Sequence, residues 1–216
     1  MLPPDSTPFR AAGTTKGKKK IVDLGAGPNP LRTSEGDVIS VDIHEEVNPT
    51  YRCDLRVLPF ANNEFDVVYS SHTLEHFGRD EIKNVLKEWT RILKKDGEMR
   101  LIVPNLTWAA KQILADSIKP DDLSSKGPEA GKPTFGWDAM NVLYGQQEYG
   151  ENFHAVGYTR PLMKQLLVEQ GFTHFIIDDT QYYNLVVRAW RQEPVGLTTD
   201  FVISDARAEK PTDIKG

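Results

Sequence analysis

From Lys20 onward the chain repeats one kind of segment, short, β-branched and in several cases nearly continuous in apolar character. The runs are KIVDLG, DVISVDI, TYRCDL, FDVVYSS and EMRLIVP. A strand wetted on one face alternates polar and apolar residues, whereas near-continuous apolar runs suit strands covered on both faces, as in a parallel sheet. Parallel neighbours need long crossovers, and helices usually supply them. The clearest helix is DEIKNVLKEWTRILKKDG, between the fourth and fifth runs. There Ile82, Val85, Leu86, Trp89, Ile92 and Leu93 fall on one face. Asp80 is placed to cap its start, Lys94 and Lys95 suit its negative end, and Gly97 suits its exit. The expected fold class is therefore α/β, a doubly wound, mostly parallel sheet with helices on both faces.

After LIVPN comes a long section, residues 106–158, rich in Gly, Pro, Trp and Tyr. It contains one expected helix, WAAKQILADSI, and then irregular sequence through SSKGPEAGKPTFGW. A connection this long inside a compact domain is expected to cover a binding site. TRPLMKQLLVEQGF reads as a helix capped by Thr159, with Pro161 in its first turn and Gly171 ending it. HFIID and YNLVVRAW then form an antiparallel hairpin. The expected organisation is a flexible segment over 1–17, one domain over 18–196 with 106–158 as a substrate-covering insertion, and a tail over 197–216.

Composition narrows the function classes. The formal charge of −5 argues against general attraction to nucleic acid. KGKKK, Lys16 to Lys20, is the local exception: a solvated approach to the first strand, or a handle for phosphates. One cysteine, Cys53, allows no internal disulfide and no cysteine-based metal site, which points to a reducing, cytoplasmic setting. No apolar run approaches the roughly 20 residues of a membrane span, and the first 20 residues have no secretory apolar region.

Ligands of such sheets sit outside the C-terminal strand ends, and the motifs cluster there. VDLGAGPNP ends the first strand with Gly25 and Gly27, a turn expected to present bare amide N–H groups to a ligand. Pro30 occupies the last glycine position of the dinucleotide fingerprint, and no Gly-Lys-Ser/Thr follows, so neither a nicotinamide site nor a P-loop is favoured. Asp42 ends the second strand 17 residues after Gly25, placed to accept hydrogen bonds from both hydroxyls of a ribose or to cap a turn.

VDLGAGPN, VDI, CDLRVLPFANNEFDVVYSSHTLEHF and EWTRILKKDGEMRLIVPN, in that order, resemble the class I S-adenosylmethionine-dependent methyltransferases of the type 11 kind. The resemblance runs from Lys20 to Asn105 and more loosely to Gln192. It implies a Rossmann-like sheet of seven strands in the order 3-2-1-4-5-7-6, with an antiparallel last strand. It implies S-adenosyl-L-methionine as cofactor, S-adenosyl-L-homocysteine as product and no metal. Asp23, Gly25, Ala26 and Gly27 would line the methionine part of the cofactor. Asn29 stands where the family often has a third glycine, and Asn tolerates a left-handed backbone. Asp42 would hold the ribose, Ile43 would lie against the adenine, and Asp54 would bond its amino group beside the main chain of Leu55. Ser70, Ser71 and His72 would lie by the sulfonium. The short segment after Gly27 implies a stunted first helix.

For a hydroxyl acceptor a base is needed, and His72, His76, His154 and Tyr158 are candidates. His76 belongs to LEHF, where it could equally be a packing residue. His154 lies in LYGQQEYGENFHAVGYT, which resembles a stretch in family members near sugar- and glycan-biosynthesis enzymes. There Gly145, Gly150 and Gly157 would allow tight folding, and Tyr144, Tyr149 and Tyr158 could stack on a ring. His76 and His154 are carried forward as the catalytic candidates. The expected acceptor is a small molecule or glycan precursor. An RNA- or protein-directed methyltransferase, and an inactive cofactor-binding partner subunit, stand as alternatives.

Overall fold

The computed structural model describes residues 17–118, 135–147, 152–181 and 183–194. The expectations for 1–16 and 197–216, and for Tyr149 and Gly150, lie outside the described residues. Strand β1 (Lys19–Leu24) is central, pairing in parallel with β2 (Gly36–Asp42) and β4 (Phe65–Ser71). Two-residue β3 (Tyr51–Arg52) adds to β2, and β5 (Leu93–Pro104) adds to β4, both in parallel. β7 (Asn184–Trp190) runs antiparallel to both β5 and β6 (His174–Gln181). The order is β3-β2-β1-β4-β5-β7-β6, as the resemblance implies.

The inward residues of alternate strand positions make one core. Val22, Leu24, Val68, Met99, Leu101 and Leu185 pack in a single buried cluster with residues of α1 (Ile82–Ile92) and α4 (Arg160–Glu169). Trp89 is fully buried there and donates its indole N–H to Leu55 O at 3.1 Å, so a large apolar side chain is buried without stranding its polar atom. α4 is capped as its sequence indicates: Thr159 Oγ1 accepts the Leu162 N–H, and Gly171 follows with φ +83°. The ends of α1 differ from expectation. The residue before it is Glu81, which takes the Gly78 N–H at 2.8 Å, and Asp80 does not cap. At the far end Leu93 already pairs with Phe65, so the ladder to β4 ends the helix, and Lys94, Lys95 and Gly97 lie within β5.

Residues 25–35 join β1 to β2 without a helix, in keeping with the stunted element that the short segment implies. Leu31 takes that place, packing against Tyr69, Ile102 and Val186 on the sheet face opposite the main core. Its N–H is held by Asp23 Oδ2 at 2.7 Å. The same face carries a buried ionic chain. Arg100 forks onto Glu35 at 2.9 and 2.8 Å and reaches Glu98 at 2.8 Å, and Glu98 also takes Arg188 at 2.5 Å. These bonds hold the Glu35 carboxyl down to about 2 against the opposing pull of burial. Removing the central cation leaves two buried carboxylates short of compensation, so Arg100→Met is expected to cost about 3–5 kcal/mol of unfolding free energy. Urea titration measures it, and an unchanged midpoint would show that the chain carries no net stability.

Candidate functional site

β1 ends in a turn with left-handed backbone at Gly25 (φ +74°) and Gly27 (φ +55°). The turn's amides are not bare, contrary to the sequence expectation. Gly25 and Ala26 both donate to Val41 O, at 2.9 and 3.1 Å, and Gly27 donates to Asp42 Oδ2 at 2.8 Å. With no helix to follow, the turn leans on the end of β2, whose carbonyl and carboxylate satisfy it. What it presents to a ligand is room. A Cβ added at Gly27 would meet nothing within 4 Å, whereas one at Gly25 would lie 2.2 Å from Thr73 Oγ1. Thr73 in turn bonds the carbonyls of Leu24 and Gly25, both at 3.4 Å, and of Ser71 at 3.2 Å, coupling the turn to the loop after β4.

A cleft of about 1170 Å³ opens beside this turn, at the C-terminal ends of β1, β2 and β4. Its volume exceeds the roughly 300–1,000 Å³ usual for a single ligand. The lining includes Gly25, Ala26, Gly27 and Asn29 from the turn, Asp42 and Ile43 at the end of β2, Asp54 and Leu55 after β3, and Ser71 and His72 at the end of β4. The two histidine candidates, His76 and His154, line the other end. Asp42 also accepts the His44 N–H through Oδ1 at 2.9 Å, and each of its oxygens keeps a second lone pair. Asp54 stands at the rim, where Arg56 bonds both of its oxygens and also reaches Glu81.

Four expected site residues do not line the cleft. Asp23 is 2% exposed behind the turn, held to Leu31, and Ser70 is buried with its hydroxyl on Leu24 O at 2.8 Å. Tyr158 is fully buried and donates to Leu74 O at 3.0 Å, so it packs rather than stacking on an acceptor. Tyr144 is half exposed at the end of α3 (Phe135–Tyr144), whose Trp137, Asp138 and Asn141 line the cleft in its stead.

α3 is absent from the sequence expectation, and its signal is the pairing of Ala139 with Val142 ahead of Gly145. Both are buried against Ala109 of α2 (Leu106–Leu114). Gly145 turns the chain back with φ +76°, where a Cβ would strike Asn152 O at 2.2 Å. Residues 152–158 then cross above the end of β4 as a strap. Glu75 O accepts the N–H groups of Ala155 and Val156, at 2.8 and 3.2 Å.

The strap brings its own His154 to His72, His76 and Glu75. His76 Nδ1 is 3.0 Å from Phe153 O, and His154 Nδ1 is 3.0 Å from Val142 O. A carbonyl only accepts, so each Nδ1 carries the proton, and a neutral ring keeps its lone pair at Nε2. The rings meet edge to face at 5.2 Å. Burial lowers the pKa of His154, which favours its neutral form. Burial also works against charge on His72, but the Glu75 carboxylate beside it prevails and raises its pKa. Glu75 itself went unremarked in the sequence, since LEHF reads as the start of a helix.

Burial, with a smaller contribution from Asp42, pushes the Asp23 carboxyl up to about 6. A raised carboxyl favours the fold while protonated and loses that contribution as pH climbs from about 4 through 6. Thermal melts of Asp23→Asn should therefore gain on the parent chain between pH 4 and 7, and a pH-independent difference would refute the shift. Gly25→Ala meets both a positive φ and Thr73, so it is expected to cost about 1–3 kcal/mol and to weaken any ligand seated on the turn. Denaturant titration reads the first effect, and an undiminished midpoint would count against the strain.

Residues 22–101 match the family model described as a methyltransferase domain. No curated protein matches the chain in sequence. Among solved structures, a Pyrococcus horikoshii OT3 protein superposes with a TM-score of 0.58 at 18% identity, over 82% of this chain and 84% of that one. A Thermotoga maritima S-adenosylmethionine-dependent methyltransferase, described as a possible histamine N-methyltransferase, gives 0.55 at 15%, over 82% and 84%. The Burkholderia thailandensis 1,6-didemethyltoxoflavin-N1-methyltransferase, solved with 1,6-didemethyltoxoflavin and S-adenosylhomocysteine, gives 0.51 at 16%, over 80% and 70%. At these identities the likeness is one of fold. The cleft fits the cofactor that the family uses, with open space at Gly27 and an acid, Asp42, at the end of β2. By its matched segment and strand order, the chain carries a methyltransferase-domain match over residues 22–101 and has the fold of the class I S-adenosylmethionine-dependent methyltransferases, to which it is similar.

Proposed function

We propose that the chain methylates an oxygen of a small molecule or glycan precursor bound between α3 and the loop after β4. S-adenosylmethionine supplies a methyl group on a positively charged sulfur, ready for in-line displacement. The chain's residues need only hold, align and relieve the acceptor of a proton. Gly27 leaves room for the methionine end, and Asp42 accepts the ribose hydroxyls on its remaining lone pairs. Ile43, 51% exposed at the cleft, offers an apolar face to the adenine, and Asp54 an acceptor for its amino group. Alignment of this kind supplies several kcal/mol of a displacement barrier.

The observation that carries the oxygen reading is the paired imidazoles of His76 and His154, each with Nδ1 on a main-chain carbonyl, which turns Nε2 away from that bond. Oxygen acceptors must lose a proton at transfer, and a positioned base is worth about 10²–10⁴-fold. An RNA acceptor is less well supported. Lys18, Lys19 and Lys20 each pair with an acid of the chain, Asp37, Glu35 and Glu64, which leaves little free charge for phosphates.

Calorimetry with S-adenosylhomocysteine tests the cofactor end. Asp42→Ala is expected to weaken binding by about ten-fold or more, with circular dichroism confirming the fold, and equal affinity would refute the ribose placement. Labelled cofactor offered to a panel of hydroxyl and amine acceptors tests the other end. Transfer to amines alone would overturn the oxygen reading.

A further inference from the structure

The acid beneath the strap is not accounted for by cofactor binding or by packing. Glu75 is fully buried, and neither carboxylate oxygen has a hydrogen-bond partner among the described residues. Buried carboxylates are ordinarily paired, hydrogen-bonded or on a metal, because stripping the charge of water costs several kcal/mol. The nearest cations-to-be do not resolve this. His72 Nδ1 stands 3.4 Å away and His154 Nε2 3.9 Å, and both approach the same oxygen, Oε1. Oε2 faces neither.

We propose that Glu75, His76 and His154 form a binding site for a divalent transition-metal cation. One ligand atom from each of the three lies within 4.8 Å of the others, a spacing that a single ion can bridge with small side-chain adjustments. The histidines are prepared as ligands prepare: each gives its Nδ1 proton to a main-chain carbonyl, Phe153 O or Val142 O. Such a bond fixes the tautomer and orients the free nitrogen of metal-ligating histidines. Two imidazoles and one carboxylate suit zinc, iron, cobalt or nickel better than magnesium or calcium, which prefer all-oxygen shells. Three protein ligands also leave coordination positions open, the mark of a site that takes a substrate. His76 and His154 line the cleft, so the open side falls where the proposed acceptor lies. There the cation would polarise the acceptor oxygen so that its hydroxyl proton is lost to water, with His76 and His154 serving as ligands in place of the free base. That role rests on the oxygen-methylation reading, while the site itself rests on geometry alone.

The test uses the full chain, treated with a chelator, desalted and titrated with Co²⁺ followed by visible absorption. Zn²⁺ competition and S-adenosylhomocysteine calorimetry follow on the same sample. One equivalent of Co²⁺ is expected, with the absorption of a low-coordinate nitrogen and oxygen site, displaced by Zn²⁺. Glu75→Gln and His76→Ala should each weaken Co²⁺ by about ten-fold or more, with S-adenosylhomocysteine affinity and melting cooperativity retained. Glu75→Gln keeps the main-chain bonds to the strap, and His76 is only part-buried, so the two variants guard each other against misfolding. Absence of Co²⁺ binding below about 1 mM, or binding indifferent to both substitutions, overturns the cation site. A chain that binds S-adenosylhomocysteine but no cation loses this proposal and keeps its methyl-transfer reading. One that binds the cation at these residues but no S-adenosylhomocysteine supports the site and overturns that reading.

Discussion

The carbonyl of Val41 and the carboxylate of Asp42 together take the three amides of the Gly25–Gly27 turn. The cleft depends on that arrangement. In many α/β sheets the turn after the first strand runs into a helix whose first amides point at a ligand. Here the crossover is too short for one, and the amides would be stranded if β2 did not receive them. The glycines are still required, but for shape: Gly25 because Thr73 stands against it, and Gly27 because the cleft needs the space. Asp42 then serves two ends, tying the turn in place while presenting its remaining lone pairs to the cleft.

The histidine end of the cleft is built differently, from main-chain bonds between segments far apart in sequence. The loop after β4 and the 152–158 strap are joined through Glu75 O and His76, and the strap is joined to α3 through His154. His76 and His154 each commit Nδ1 to a main-chain carbonyl, so one nitrogen of each ring is spent on architecture. The two ends meet at His72 and Thr73, the first facing the cleft and the second holding the glycine turn.

The sheet was legible because burial on both faces leaves a mark at nearly every strand position, and the order of motifs implied its topology. Helix boundaries were less so. Asp80 has the chemistry of a cap, but Glu81 reaches the Gly78 amide, and Leu93 continues the helical stripe while pairing with Phe65. α3 escaped notice because Gly136 and Trp137 dilute its pattern, and its burial comes from a neighbour, α2, rather than from the sheet. Of the residues expected to hold the cofactor, those whose place follows from a strand end, Gly25, Asp42, Asp54 and Ser71, do reach the cleft. Those that needed a side-chain direction did not follow: Tyr158 turns into the core, Ser70 bonds back to Leu24, and Asp23 faces away. Residue type alone carries no direction, and Glu75 shows the same limit in reverse, a charged residue whose burial no local pattern announces.

Glu75 divides its duties between backbone and side chain: the carbonyl staples the strap through Ala155 and Val156, and the carboxylate stands by the histidines. Any residue has a carbonyl. A lineage could therefore trade this carboxylate for another group by a single codon change and keep its scaffold intact, so closely related chains of one shape could differ in chemistry at this spot.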